Sequence, residues 1–145
     1  MYDARITRLN SGKAADAYRA NQAQTATPMG LIVMLYEGAV SFLDQAEKAA
    51  RAGNWETAQG LVRRAQDVVY ELMGCLDMEK GGRIAVDLFR IYEYLGYRLV
   101  QAQVRRDPGP LEEVRGHLSS LREAWVEAEK KLRSEARREE RSAVL

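Results

Sequence analysis

Apolar side chains recur at helical spacing in four long blocks of this chain, and short clusters of Gly, Pro, Asn and Asp separate the blocks. The first block is "TPMGLIVMLYEGAVSFLDQAEKAA", residues 27–50. It opens on Thr27-Pro28, a helix start: the threonine oxygen caps, and the proline takes the first helical position, where a missing N–H costs nothing. This helix runs to about Ala52, where Gly53 supplies a left-handed C-cap, and Asn54 caps the next helix at once. The second helix, about 55–76, has apolar or alanine positions at 58, 61, 62, 65, 68, 69, 72, 73 and 76. That is the i, i+3, i+4, i+7 recurrence of an amphipathic helix. "DMEKGGR", 77–83, interrupts the pattern with two glycines. A third helix spans about 84–105 and ends at "RDPGP". Pro110 opens a fourth, with Glu112 and Glu113 in its first turn, where the helix dipole favours them. Its apolar positions are 111, 114, 118, 121, 125, 128 and 132. No strand pattern occurs. Short links between long helices favour antiparallel neighbours, so the pattern predicts an all-α, antiparallel up-down four-helix bundle over residues 27–133.

Two flanking segments depart from it. Residues 1–26 are rich in Ala, Asn, Gln and Thr and lack a sustained period. We read them as a flexible N-terminal segment, with local helix around 13–20 and a few apolar anchors at Ile6, Leu9 and Tyr18. From Glu129 to Ser142, ten residues in fourteen are charged, of mixed sign. Residues 134–145 read as a charged C-terminal tail, a solvated extension of the fourth helix that frays.

The helices differ in how much of their circumference is apolar. A helix packed on one side of a core needs an apolar arc of roughly 100°. The fourth helix meets that and no more. On the first, Glu37, Ser41, Asp44 and Lys48 form one narrow polar line, and nearly everything else over 31–43 is apolar. On the third, Ile84, Leu88, Ile91 and Leu95 form one seam and Val86, Phe89, Val100 and Val104 another, with Ala85, Tyr92 and Leu99 between them. These arcs are about twice what one core face requires. Two explanations stand: the two helices are covered on two sides by the bundle itself, or part of their surface is a groove for an apolar partner. The N-terminal segment offers a cover for such a groove.

Charge and composition narrow the function. The 145 residues carry 22 basic and 21 acidic side chains, a net charge of +1. A phosphate-driven nucleic-acid binder would show a basic excess gathered on one face, so nucleic acid is not the expected partner. The single cysteine, Cys75, forms no intramolecular disulfide and suits a reducing, cytoplasmic setting. The first residues, "MYDARITRLNSGKAADAYRANQ", lack the apolar core of a secretory signal. No run reaches the ~18 apolar residues of a membrane span, so stable membrane insertion is not expected.

Catalytic chemistry finds no constellation. His117 is the only histidine, and it lies beside an apolar position of the fourth helix; it reads as a satisfied or solvent-facing side chain. Cys75 reads as a small buried hydrophobe. A zinc site would need more His and Cys ligands than these two. The carboxylates alternate with Lys and Arg along helix faces and read as surface ion pairs. "GGR" at 81–83 lacks the lysine and the preceding strand of a phosphate loop. Trp55 and Trp125 read as packing anchors. We therefore read the chain as a non-enzymatic protein without cofactor or metal.

The order of motifs resembles the flagellar export chaperone family FliS. It is carried by Tyr18 in "DAYRANQ", "TATP" at 25–28, "LIVMLYEGAVSFL" at 31–43 and "KAARAGNWETA" at 48–58. "RAQDVVYEL" at 64–72, "CLDMEKGGRIAVDLFRIYEYLGYRLVQAQVRRD" at 75–107 and "LEEVRGHLSSLREAW" at 111–125 follow. The resemblance covers residues 18–126. It implies a helical-bundle chaperone that binds the disordered C-terminal segment of flagellin. That segment would fold into short helices around the bundle, which prevents its premature polymerisation in the cytoplasm. It also implies an N-terminal cap over part of the binding surface, docking of the loaded chaperone on the export gate FlhA of the type III export apparatus, and, in some bacteria, contact with other flagellar regulators. By position, Tyr18 matches the family's N-terminal tyrosine, linked to capping and gate docking. The flagellin groove is expected on the first three helices, with Ile32, Leu35, Tyr36, Val69, Leu72, Leu88, Tyr92 and Leu95 as the candidate residues. The competing use of the same wide apolar faces is a homodimer interface in a purely structural bundle.

Overall fold

The computed structural model describes residues 27–144, in which four helices follow one another: α1 (Pro28–Arg51), α2 (Trp55–Gly74), α3 (Met78–Arg105) and α4 (Gly109–Val144). Three connections of three residues each join them, at 52–54, 75–77 and 106–108. So short a link forces each helix to run back along its predecessor. Among the described residues there is no strand.

The starts are capped by side chains of the anticipated kind. Thr27 Oγ1 accepts the Gly30 N–H at 3.0 Å, with Pro28 opening α1, and Asn54 Oδ1 accepts the Thr57 N–H at 3.3 Å. Asp77 accepts from both Glu79 and Lys80, and Asp107 accepts the Gly109 N–H at 2.9 Å. Each such bond satisfies an amide that the first helical turn leaves without a partner. Gly53 takes φ +82 after α1, a left-handed conformation that glycine adopts without strain.

The third helix starts earlier than the sequence suggests. Asp77 caps a first turn over Met78–Gly81, and Gly82 then leaves helical geometry at φ 53, ψ −128. The Gly81-Gly82 pair therefore acts as a kink within α3 rather than as a loop before it. A methyl group on Gly81 would come within 2.7 Å of the Ala85 Cβ, so the bend closes too tightly there for a larger residue.

Contacts between α1 and α4 fix the register. Thr27 reaches Glu129, Tyr36 reaches Trp125, Glu37 pairs with Arg122, Glu47 with Arg115 and Arg51 with Glu112. Numbers that rise along α1 fall along α4, the signature of antiparallel neighbours. Helix α1 packs on α2 and α4, and α3 packs on the same two from the opposite corner.

The core runs through the centre of this square. Helix α1 contributes Tyr36, Ala39, Leu43 and Ala46; α2 contributes Ala58, Val62, Ala65, Val69 and Leu72; α3 contributes Tyr92, Leu95 and Leu99; α4 contributes Leu111, Val114 and Leu118. Ala39, Ala46 and Ala50 of α1 and Ala58 and Ala65 of α2 are among the core residues, and small side chains let helices approach closely. Burying each Leu-sized side chain contributes about 1.5–3 kcal/mol before entropy is counted. Past Leu118 the fourth helix has no buried residue, and past Glu129 every described residue is exposed, Leu132 included. The charged extension continues as helix to Val144, and an i,i+4 pair joins Glu129 to Arg133 at 2.6 Å where it begins.

Candidate functional site

The two helices with surplus apolar surface resolve differently. Around α1 the neighbours cover most of it: Val33, Tyr36, Ala39 and Leu43 are buried, and Ile32, Leu35, Val40 and Phe42 pack against the core from its margins. Only its first turns stay open, where Met29 and Met34 are half-buried and Leu31 is exposed. On α3 the core takes Ala85, Tyr92, Leu95, Leu99 and Ala102. The flanks remain in solvent, with Ile84 at 71%, Tyr97 at 59%, Val100 at 48% and Val104 at 78% exposure. A small monomer gains nothing from that much apolar surface in water.

Two apolar concavities lie within these open regions. One, of about 500 Å³, sits where the start of α1 crosses the end of α2. Among the described residues its walls are Pro28, Met29, Leu31, Ile32, Met34 and Leu35 from α1, Glu71 from α2 and Cys75 just after it. The other, about 340 Å³, is a trough between α2 and α3. Gln66, Val69, Tyr70 and Met73 form its α2 side; Tyr92, Glu93, Gly96, Tyr97 and Val100 form its α3 side. Exposed tyrosine and flexible methionine are the side chains that adaptable protein-binding surfaces favour.

The candidate residues divide between these surfaces and the core. Ile32 and Leu35 line the α1/α2 concavity. Val69 and Tyr92 lie at the floor of the α2/α3 trough, 2% and 1% exposed, and also belong to the core. Tyr36, Leu72 and Leu95 are core residues, essentially without exposure, and line neither surface. Leu88 is half-buried against the core. Tyr18 lies outside the described residues, as does the rest of the N-terminal segment.

Several lining residues escape a reading by period alone. Tyr70 sits on the polar side of α2 by spacing, yet it rims the trough, which Tyr97 rims from beside the Val86–Val104 seam of α3. Glu71 is 3% exposed and borders the α1/α2 concavity, so it is not the solvent-facing carboxylate its position on the wheel suggests. Cys75 corrects an expectation: it caps the end of α2 and is exposed, because the helix terminates there and leaves its last residue uncovered.

Electrostatics add a polar edge between α3 and α4. Tyr94 donates to Glu113 at 2.5 Å, and Arg98 Nε donates to the same carboxylate at 2.9 Å; His117 lies 3.3 Å from it. The Tyr94 hydrogen bond is the largest of the influences that hold the Glu113 carboxyl below its ordinary range. His117 is exposed, as the sequence suggests. The first helix keeps its polar line beside α4, where Glu37, Ser41 and Asp44 border a trench with Arg115 and Arg122. The apolar troughs and the polar edges thus occupy different sides of the bundle.

Comparison with known proteins names the family. Residues 11–132 match the family described as "Flagellar protein FliS". The chain belongs to the FliS family. It is 34% identical to the flagellar secretion chaperone FliS of Bacillus subtilis over 112 residues, which is 77% of this chain and 83% of the relative. The Salmonella typhimurium FliS is 39% identical over 102 residues, 70% of this chain and 76% of the relative. The Campylobacter jejuni FliS is 34% identical over 119 residues, 82% and 93% of the two chains. FliS is thus a family of flagellar secretion chaperones, not of enzymes, and the all-α four-helix bundle here fits it. Among the described residues no helix is long and apolar enough to cross a membrane.

Proposed function

We propose that this chain is a cytoplasmic export chaperone that binds the disordered C-terminal segment of flagellin. It prevents premature polymerisation and delivers its client to the flagellar type III export gate, FlhA. The observation that carries this reading is the open apolar surface on α1, α2 and α3, part of which (Leu31, Tyr70, Tyr97 and Val100) borders two concavities. A disordered client loses conformational entropy on binding, so it needs a long apolar track. Coupled folding of this kind typically buries about 1,000–3,000 Å². Neither concavity is large enough alone, and a client wrapped across both would be.

In this reading Ile32, Leu35 and the exposed neighbours on α1 take one stretch of the client, and the trough over Val69 and Tyr92 takes another. Residues 1–26, which join the bundle at the edge of the α1/α2 concavity, cap it until flagellin arrives, and Tyr18 serves in capping and gate docking. The test compares binding of full-length flagellin with flagellin lacking its C-terminal segment. Loss of binding on truncation is expected; equal binding overturns the reading. Sedimentation at low concentration separates it from the homodimer alternative, which requires a permanent dimer with the same surfaces occluded.

A further inference from the structure

Glycine in a helix interior lowers stability relative to alanine, so its presence there calls for a reason. Gly96 lies in the middle of α3, one turn from Tyr92 and one from Val100, and its φ is not among the positive ones. A Cβ built on it would meet no atom within 4 Å. Neither the backbone conformation nor the packing of this chain therefore requires glycine at 96. What distinguishes it is position: it lines the α2/α3 trough, which the exposed Tyr70 and Tyr97 also line. Gly60 on α2 also has open space around it, but it is exposed and borders neither trough.

We propose that Gly96 is the close-approach point for a helical stretch of the client laid along the α2/α3 trough. This inference rests on the client reading above and adds a selection rule to it. A helix that crosses a glycine can bring its backbone nearer than one that crosses a side chain, provided its own contact residue is small. The occupant is therefore an apolar helical stretch of the flagellin segment with Ala, Ser or Gly at the crossing. Charge complementarity narrows it further. Glu93 is the one charged side chain among the described residues that line the trough, and it selects a neutral or basic residue at that end over an acidic one.

The experiment uses the full chain with Gly96→Ala, Gly96→Leu, Gly60→Ala and Gly60→Leu. A purified peptide of the cognate flagellin C-terminal segment is the probe, and affinity and thermal stability are both measured. Both alanine variants are expected to melt at or up to about 4 °C above the wild type, because each replaces glycine where a methyl has room. Gly96→Ala is expected to weaken peptide binding at least about fivefold and Gly96→Leu more than that, while both Gly60 variants bind like the wild type. Equal affinity of the Gly96 and Gly60 variants overturns the inference and leaves the client reading standing. A fall in the melting temperature of Gly96→Ala also overturns it, since glycine would then serve the fold. A wild-type protein that does not bind the peptide overturns the client reading, and the inference with it.

Discussion

Tyr36 of α1 and Tyr92 of α3 meet hydroxyl to hydroxyl across the diagonal of the bundle, and the Trp125 indole of α4 donates to the Tyr36 oxygen at 3.1 Å. The two rings are tilted at 48° with centroids 6.5 Å apart. Three helices thus share one buried polar junction in an otherwise apolar core. Burial demands it: a phenol hydroxyl taken from water without a partner is costly, and these two satisfy one another.

Removing the two hydroxyls should have unequal effects. Tyr36→Phe strips a partner from both Tyr92 and the Trp125 N–H, whereas Tyr92→Phe strips one from Tyr36 alone, which keeps the indole. Tyr36→Phe is expected to destabilise by roughly 1–3 kcal/mol and Tyr92→Phe by about 0.5–1.5 kcal/mol. The double variant should lose less than the sum, because no donor or acceptor between the rings is then stranded. Urea unfolding of the three proteins checks the order; equal losses for the two single variants would contradict the junction.

The same junction sets a response to alkali. Burial is the main cause that raises both the Tyr36 and the Tyr92 pKa, and the proximity of Tyr36 adds to the rise at Tyr92. A folded pKa above the unfolded one means that the native state holds its protons longer. The stabilisation is complete below the unfolded tyrosine value near about pH 10 and declines as pH rises from there toward the folded value. Tyrosinate absorbance should therefore show the buried Tyr36–Tyr92 pair ionising only as the protein unfolds. A single titration step without loss of helix would disprove it.

How far the sequence reveals this protein depends on what each residue's neighbours must be. Thr27-Pro28, Gly53-Asn54 and the spacing from Leu111 to Leu118 act locally, so caps, turns and the α4 stripe are legible from the chain. The surplus on α1 and α3 is legible too, as an arc wider than one core face. Which side of that arc is covered is not, since it depends on where α2 and α4 come to rest. Leu72 and Leu95 carry the same side-chain chemistry as Ile32 and Leu35, yet the first two are core and the last two border an open concavity. Gly81-Gly82 illustrates the other limit. The pair marks a break, but Asp77 recovers one capped turn ahead of it, which the glycines conceal.

The end of α4 should be dispensable for folding. Beyond Glu129 no residue is buried, and an isolated stretch of helix this short is marginal in water. Ending the chain after Arg133 keeps the Glu129–Arg133 pair and the Thr27 contact of Glu129. The truncated protein is expected to melt within about 2 °C of the full chain, with helical signal lost in proportion to the residues removed. A large drop would mean that the extension packs on the bundle.

The open start of α1 supplies the most direct mutational test of client binding. Leu31 is 40% exposed, borders the α1/α2 concavity and stands apart from the residues packed on the core. A change there alters the surface without creating a core cavity. Leu31→Asp removes an apolar contact and puts a charge where an apolar client would lie. The apolar burial it forfeits, about 1.5–3 kcal/mol for a fully covered leucine, corresponds to roughly a 10- to 150-fold loss of affinity for the flagellin C-terminal segment. Surface substitutions of this kind usually change stability by no more than about 0.5 kcal/mol, so the melting temperature should barely move. Serine at the same position should give an intermediate loss, because it removes the contact without adding the charge. Calorimetric titration of the three proteins with one peptide gives the ranking Leu, Ser, Asp. Indifference of affinity to all three would remove the start of α1 from the client surface and leave the α2/α3 trough as the place to look.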